Sequence, residues 1–237
     1  MVSGVVAGFV IFPATVWSDS RLAQRQEQVE EQRAEQQEVL ENVRFVRERS
    51  GQRDAAKPFR GLNLTEASLA GLDLSCAEPT SVGSCADLLG ANLTGADLRE
   101  TNLTGANLRE TNLADAKLST AILADSNLAD VNLAGLDLFG ADLHQSNLSG
   151  ADLSGANLSI ANLNFAHLEE ANLSGADLHL TDLRNANMAG ADLTGALIEG
   201  ACFNSNTSWP HGFKPPNDSN CAQWFPGRGP LSQQSSP

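Results

Sequence analysis

The sequence predicts an all-β solenoid: a four-sided column in which the chain turns a corner every five residues. Three observations point there. From Ala86 onward the sequence repeats with a period of five, as in ANLTG-ADLRE-TNLTG-ANLRE-TNLAD. Central apolar residues run unbroken from Leu88 to Phe203 in steps of five, which makes 24 repeats, and only Met188, Ile198 and Phe203 among them are not Leu. Aromatic residues make up 5% of the chain and Tyr is absent, so the core is thin and built by repetition.

The period itself dictates the architecture. Five fits neither a 3.6-residue helix nor a two-residue strand. If each pentad forms one side, four corners bring the chain back to its starting face one coil higher, and each central Leu stacks on the Leu twenty residues later. Six such coils at a strand spacing of ~4.8 Å make a column about 29 Å tall. The small residue two positions before each Leu faces inward, because the narrow interior admits little more than Ala. The Asn or Asp before Leu and the two residues after it face water. Three earlier repeats centre on Leu64, Leu69 and Leu74. Burying one Leu gives roughly 1.5–3 kcal/mol. Ordering five residues costs roughly 5–10 kcal/mol of backbone entropy. Hydrogen bonding between coils and the inward Ala therefore have to supply the remainder, and a pentad is stable only when stacked.

The pattern A-[DN]-L-x-x resembles the pentapeptide-repeat family, and the resemblance covers residues 61–204. It implies a right-handed quadrilateral β-helix without known catalytic machinery. The segment Thr207-Ser208-Trp209-Pro210-His211-Gly212-Phe213 is similar to a closing segment of some members, with Trp209 and Phe213 placed to cover the end of the Leu stack. Solenoid ends need such caps.

The sequence divides the chain into an anchor (residues 1–18), a helical stalk (19–51), a linker (52–60), the β-helix (61–204, with an insertion at 76–85) and a closing tail (205–237, partly disordered). Residues 2–17 carry no charge, and Trp17 sits at their polar boundary. Sixteen residues fall just short of the roughly 17–25 that span a bilayer. Without a basic n-region or an A-x-A site, the segment reads as an uncleaved single-pass anchor rather than a signal peptide. Arg21 and Arg25 follow the apolar run, which places the repeat domain on the cytoplasmic side. Residues 19–49 are rich in Gln, Glu and Arg and contain no Gly or Pro. Leu22, Val29 and Val43 share a heptad position interrupted by Gln36, which gives a weak coiled-coil seam or a solvated helix.

Charge and side-chain chemistry exclude several functions. Net charge is −14. Residues 61–204 hold nineteen acids against four bases, so the acidity belongs to the column, and direct nucleic-acid binding is not expected. His144, His167, His179 and His211 do not recur at twenty-residue intervals, so neither a metal site nor a cofactor is expected. No His base lies in register with a Ser or Thr nucleophile, so the chain is not expected to be an enzyme. The Asn-x-Ser/Thr matches follow from the repeat itself.

Leu74 and Leu88 are 14 residues apart, so nine are inserted between them. Cys76 and Cys85 occupy equivalent pentad positions at the base of that loop and form a candidate disulfide. Cys202 and Cys221 bracket the closing tail and form a second candidate. On the face centred on Leu98, Leu118, Leu138, Leu158, Leu178 and Ile198, three residues break the polar rule after the central Leu: Phe139, Ile160 and Leu180. Ile160 and Leu180 should stack on adjacent coils, with Asp137 and Asp177 giving the group a charged edge. Contiguous exposed apolar residues mark interfaces. These three are the candidate contact with a protein partner or a second copy of the chain. The leading functional reading is a membrane-tethered, non-catalytic protein-interaction scaffold. The alternative is a DNA-mimicking inhibitor or protector of DNA gyrase, since some family members resemble duplex DNA in size and charge and bind gyrase. Those members are soluble and dimerise through a C-terminal helix, whereas this tail carries Pro210, Pro215, Pro216, Pro226 and Pro230.

Overall fold

The computed structural model describes residues 14–50, 52, 57–76, 85–216 and 221. The chain forms two compact units, residues 1–40 and 41–237. A single helix, α1 (Ala14–Arg49), runs through the first unit and ends in the second. Two short strands, β1 (Lys57–Pro58) and β2 (Ala86–Asp87), pair in parallel. The rest of the column consists of isolated parallel bridges.

The bridges give the register. Asn107 pairs with Asn127, Asn127 with Asn147, and Asp152 with Asn172, each twenty residues on. One coil is therefore four pentads. The central Leu residues from Leu88 to Leu183 are at most 2% exposed, and the Ala residues two positions before them are buried with them. Where Thr or Ser takes that inward position, the hydroxyl donates to a central carbonyl. Thr101 Oγ1 bonds Leu69 O at 2.8 Å, and Ser146 Oγ bonds Leu143 O at 2.7 Å.

Where Asn or Asp stands second, every N–H of a pentad finds an acceptor, as residues 151–155 show. Ala151 N donates across the corner to Leu148 O at 3.1 Å. Asp152 N donates to Val131 O on the coil before at 3.0 Å, and Leu153 N to Asn172 O on the coil after at 2.7 Å. Gly155 N donates to Ser174 O at 2.8 Å. The remaining donor, Ser154 N, bonds the side chain of Asp152 through Oδ1 at 3.0 Å. This local side-chain turn is the physical reason for Asn or Asp before each Leu. The position does face water, but it is not free to vary. Its side chains also link coils: Asn157 Nδ2 bonds Asp137 Oδ1 at 2.9 Å, and Asn172 Nδ2 bonds Asp152 Oδ1 at 3.0 Å.

The column begins earlier than the five-residue pattern suggests. Lys57 pairs with Ala86 and Pro58 with Asp87, which makes residues 57–61 the first pentad rather than part of a linker. Phe59, fully buried, is its central residue. Lys57 fills the inward position, and its Nζ donates to Ser75 O. Burial lowers the pKa of Lys57, while Asp73 opposes that shift.

The end of α1 covers this first coil, so residues 41–49 act as a cap rather than a stalk. Val46 is fully buried, with Val43 and Phe45 packed beside it. Phe45 meets Phe59 edge-on at 5.7 Å. Asn63 O and Ser68 O of the first coil have no preceding coil to bond. They accept from Asn42 Nδ2 and Arg47 Nη2, each at 2.9 Å. At the other end Ser208 pairs with Asn187, 21 residues back, so Trp209 takes the central position above Met188. Trp209 meets Phe203 edge-on and stacks on Phe213, both at 5.2 Å, and all three pack on the core. One central column thus starts with Phe59 and finishes with Trp209.

Both cysteine pairs are bonded. Cys76 and Cys85 form a disulfide with Cα atoms 4.1 Å apart, and residues 77–84 of the inserted loop lie outside the described residues. Asn63 pairs with Asn92, 29 residues on instead of 20, which matches nine extra residues. Cys202 and Cys221 form the second disulfide, which fixes residue 221 to the last coil.

Gly105 lies beneath the first disulfide. A Cβ there would stand 2.5 Å from Cys76 Sγ and 3.1 Å from Cys85 Sγ, and the backbone has φ +72°. Gly105→Ala is therefore expected to cost more than about 1 kcal/mol. The loss should shrink in a Cys76→Ser, Cys85→Ser background, because only the left-handed backbone penalty then remains. Thermal unfolding of the four variants measures this. An equal loss in both backgrounds contradicts the packing.

Candidate functional site: an apolar side of the column

Each corner is a β-turn whose third residue has φ near +60°, the type II signature that favours Gly. Gly155 (φ 64°) and Gly175 (φ 66°) follow that preference. The first corner, which follows the Leu98 face, departs from it at Glu100 and Thr120 (both φ 59°), Ile160 (φ 60°) and Leu180 (φ 57°). The second corner, which follows the Leu103 face, departs from it at Asp125 (φ 58°), Gln145 (φ 54°), Phe165 and Asn185 (both φ 59°). A bulky or β-branched residue in this region is a true outlier.

Ile160 N donates to His179 O at 3.0 Å, and Gly140 N to Ser159 O at 3.0 Å, so Phe139, Ile160 and Leu180 belong to three successive coils of the first corner. Phe139 is 42% exposed and Ile160 is 46% exposed. Leu180 differs: it is half-buried. Its Cδ2 lies against Gly200, where a Cβ would approach it to 2.9 Å. It is covered by the next coil rather than fully offered to solvent.

The structure adds residues that a reading of one face overlooks. Phe165 is exposed on the second corner, with His144 edge-on to its ring at 5.9 Å. Ile122 is exposed on the Leu103 face between the two corners, and Leu197 on the Leu98 face. Among the described residues of the column, the exposed large hydrophobic side chains are these five: Ile122, Phe139, Ile160, Phe165 and Leu197. All five lie on the Leu98 and Leu103 faces or on the two corners that follow them. The opposite two corners and the Leu108 and Leu113 faces have none. The signal is present in the sequence, but it requires mapping every outward position onto a twenty-residue wheel.

The polar surroundings are acidic. Asp137 and Asp177 stand on the Leu98 face, Asp142 and Asp182 on the Leu103 face. Asp137 Oδ1 accepts from Phe139 N at 3.2 Å, and Asp142 Oδ1 from His144 N at 3.3 Å. Asp182 is buried and held by Arg184 through two bonds of 2.9 and 2.6 Å. Lower on the same side, Arg99 donates to both carboxylate oxygens of Asp97 and, as the main cause, lowers that carboxyl to about 2. A depression of about 390 Å³ there is lined by Arg99, Asp115, Lys117, Ser119, Leu136 and Asp137, a mixture of opposite charges around one Leu.

Elsewhere the titratable side chains serve the coil stack. Burial raises the Glu169 carboxyl, but its own N–H, His167 and Ser149 donate to it and leave its pKa lowered overall. Ser149 Oγ points to Glu169 at 3.2 Å rather than to His167, so these three do not form a nucleophile–base pair. Among the described residues no group of His, Cys, Asp and Glu could hold a metal ion.

The comparisons agree with this architecture. The family described as pentapeptide repeats matches in eight copies over residues 86–125, 126–159 and 161–200. HetL, a pentapeptide repeat protein involved in heterocyst differentiation regulation from the cyanobacterium Nostoc sp. strain PCC 7120, is 34% identical over 63% of this chain and 75% of its own, with TM-score 0.32. The chain belongs to the pentapeptide-repeat family. A second pentapeptide repeat protein of Nostoc PCC 7120 is 43% identical over 40% of this chain and 75% of its own, with TM-score 0.27. One from the thylakoid lumen of Arabidopsis thaliana is 31% identical over 49% of this chain and 67% of its own, with TM-score 0.24. A comparison with curated proteins returns no match. Family membership brings the right-handed β-helix, in a group whose members are generally structural or interaction proteins rather than enzymes.

Proposed function

We propose that this pentapeptide-repeat protein is a non-catalytic interaction scaffold that binds a protein through the side of its column that carries the first and second corners. The observation that carries this reading is that, among the described residues of the column, the exposed large hydrophobic side chains gather on one side. Singly scattered apolar residues are ordinary, whereas a group gathered on one side favours contact. The gyrase reading has less support. The column is acidic, but duplex DNA lacks a one-sided apolar band.

Membrane tethering belongs to the same proposal. Among the described residues no helix is long and apolar enough to cross a membrane, and residues 2–13 of the candidate anchor lie outside the described residues. The uncharged run itself supports the tether. For sidedness, the Arg21–Arg25 pattern favours the cytoplasm, while two formed disulfides favour an oxidising compartment. We place the column on the oxidising side, because each cysteine pair is brought within bonding distance, at the base of the inserted loop and at the last coil.

Replacing Phe139, Ile160 and Phe165 together with Ser should preserve the fold, because none belongs to the central column. It should abolish most crosslinking to a partner in cells. Unchanged crosslinking by the folded triple variant contradicts the scaffold reading. The full-length protein should also stay with membranes after a carbonate wash, and a version starting at Gln52 should not. Recovery of the full-length protein in the soluble fraction removes the tether alone.

A further inference from the structure

The apolar side of the column has a spacing and a charge, and both restrict what can occupy it. Phe139 and Ile160, with the half-buried Leu180 on the coil beyond, rise one coil at a time, about one strand separation or ~4.8 Å apart. Asp137 and Asp177 are two coils apart, or ~10 Å. An α-helix laid along the column repeats every 5.4 Å and places residues seven apart at about 10.5 Å. The mismatch is ~0.6 Å per turn, small over the three turns that these coils would contact. Helices dock in this manner through i, i+3, i+4 and i+7 anchors.

Charge selects among helices. The carboxylates of Asp137, Asp142 and Asp177 edge the apolar residues, and Asp182 is neutralised by Arg184. The other ionisable groups of these faces are His144, His179 and Glu199 beside the apolar residues, and Asp97, Arg99, Glu100, Lys117 and Asp125 on the lower coils, so acids outnumber bases and both Arg99 and Lys117 lie below Phe139. A second copy of the column, docked face to face, would bring these same carboxylates against each other. The nineteen acids and four bases of residues 61–204 would oppose it over its whole length.

Backbone conformation supplies an independent observation. Ile160 and Phe165 sit at φ 60° and 59°, where Gly stands at the equivalent position of many other pentads, and both remain exposed. They strain the fold without packing into it. Polar residues such as Glu110, Asp130 and Glu170 hold the same φ on other corners, so what distinguishes Ile160 and Phe165 is a bulky apolar side chain left exposed at that position.

We propose that this side of the column, from the first corner across the Leu103 face to the second, receives a basic amphipathic helix of another protein. Its aliphatic side chains seat among Phe139, Ile160 and Phe165, and its Lys or Arg side chains meet Asp137, Asp142 and Asp177. This deepens the scaffold reading and rests on it.

The test uses two synthetic three-turn helical peptides with the same Leu face, one with Lys and the other with Glu on the flanks, titrated into the full-length protein by fluorescence anisotropy. The Lys peptide is expected to bind at least tenfold more tightly than the Glu peptide, and to weaken with salt. Ile160→Gly with Phe165→Gly should raise Tm and lower affinity for the Lys peptide at least fivefold. Glu110→Gly, which relieves the same backbone strain (φ 60°) on a remote corner, should leave that affinity unchanged. Asp137→Asn, Asp142→Asn and Asp177→Asn together keep the turn acceptors, remove three charges and should also weaken the Lys peptide. Equal binding of the Lys peptide by wild type and the Gly pair overturns the proposal, since the acidic column alone would then explain it. Equal binding of the two peptides overturns the charge complementarity but leaves the scaffold reading intact. A wild-type dimer in sedimentation that the Gly pair abolishes overturns it in favour of a second copy.

Discussion

The structure depends on one constraint: five consecutive N–H groups must each find an acceptor while the chain turns a right-angled corner. Three of them bond carbonyls on neighbouring coils and one bonds across the corner. The fifth has no backbone acceptor within reach and takes the side-chain oxygen of Asn or Asp. That need explains why the second pentad position is so uniform although it faces water. It also explains why the apolar content can be so low. A core one Leu wide cannot offset the entropy of ordering its chain, but a fully bonded backbone ladder, repeated coil upon coil, adds to it.

The same ladder makes both ends a problem, because the first and last coils lack a neighbour. The chain solves it differently at each end. At the start, α1 contributes Val46 and Phe45 to the core, and Asn42 and Arg47 bond carbonyls that would otherwise face nothing. At the finish, Trp209 extends a central column with Phe203 and Phe213 around it, and the Cys202–Cys221 disulfide holds the chain nearby. In the described repeats Phe139 and Phe165 point outward, whereas Phe45, Phe59, Phe203, Trp209 and Phe213 pack on the core at its two ends.

Most of the fold is legible in the sequence, because a period of five with an inward apolar residue admits few alternatives. The first pentad is not, since Lys57, Pro58 and Phe59 satisfy its geometry with none of its usual residues. Lys57 turns inward only because its ammonium reaches Ser75 O, a partner invisible to a pattern. The helix cap is hidden for a similar reason: Val43, Phe45 and Val46 are too few to distinguish a cap from a stalk. For the contact surface, Phe139 and Ile160 stand out by breaking a polar position, but the same rule misplaces Leu180. Its side chain folds onto Gly200, whose missing side chain leaves the room. Phe165 and Ile122 belong to the neighbouring corner and face, so they join the group only once the coil is closed in three dimensions.

A rigid ladder with a polar, acidic exterior leaves function to the few outward positions that depart from the repeat. At Lys117, Ile122 and Leu197 the departure also removes the side-chain acceptor of the turn. Amide hydrogen exchange measured residue by residue tests the underlying constraint most directly. Ser154 and Ser174, whose N–H groups bond Asp152 and Asn172, should exchange slowly, and Ser119 and Ala124, whose turns follow Lys117 and Ile122, should exchange much faster. Equal exchange at all four positions would contradict the claim that Asn and Asp complete the bonding of the pentad.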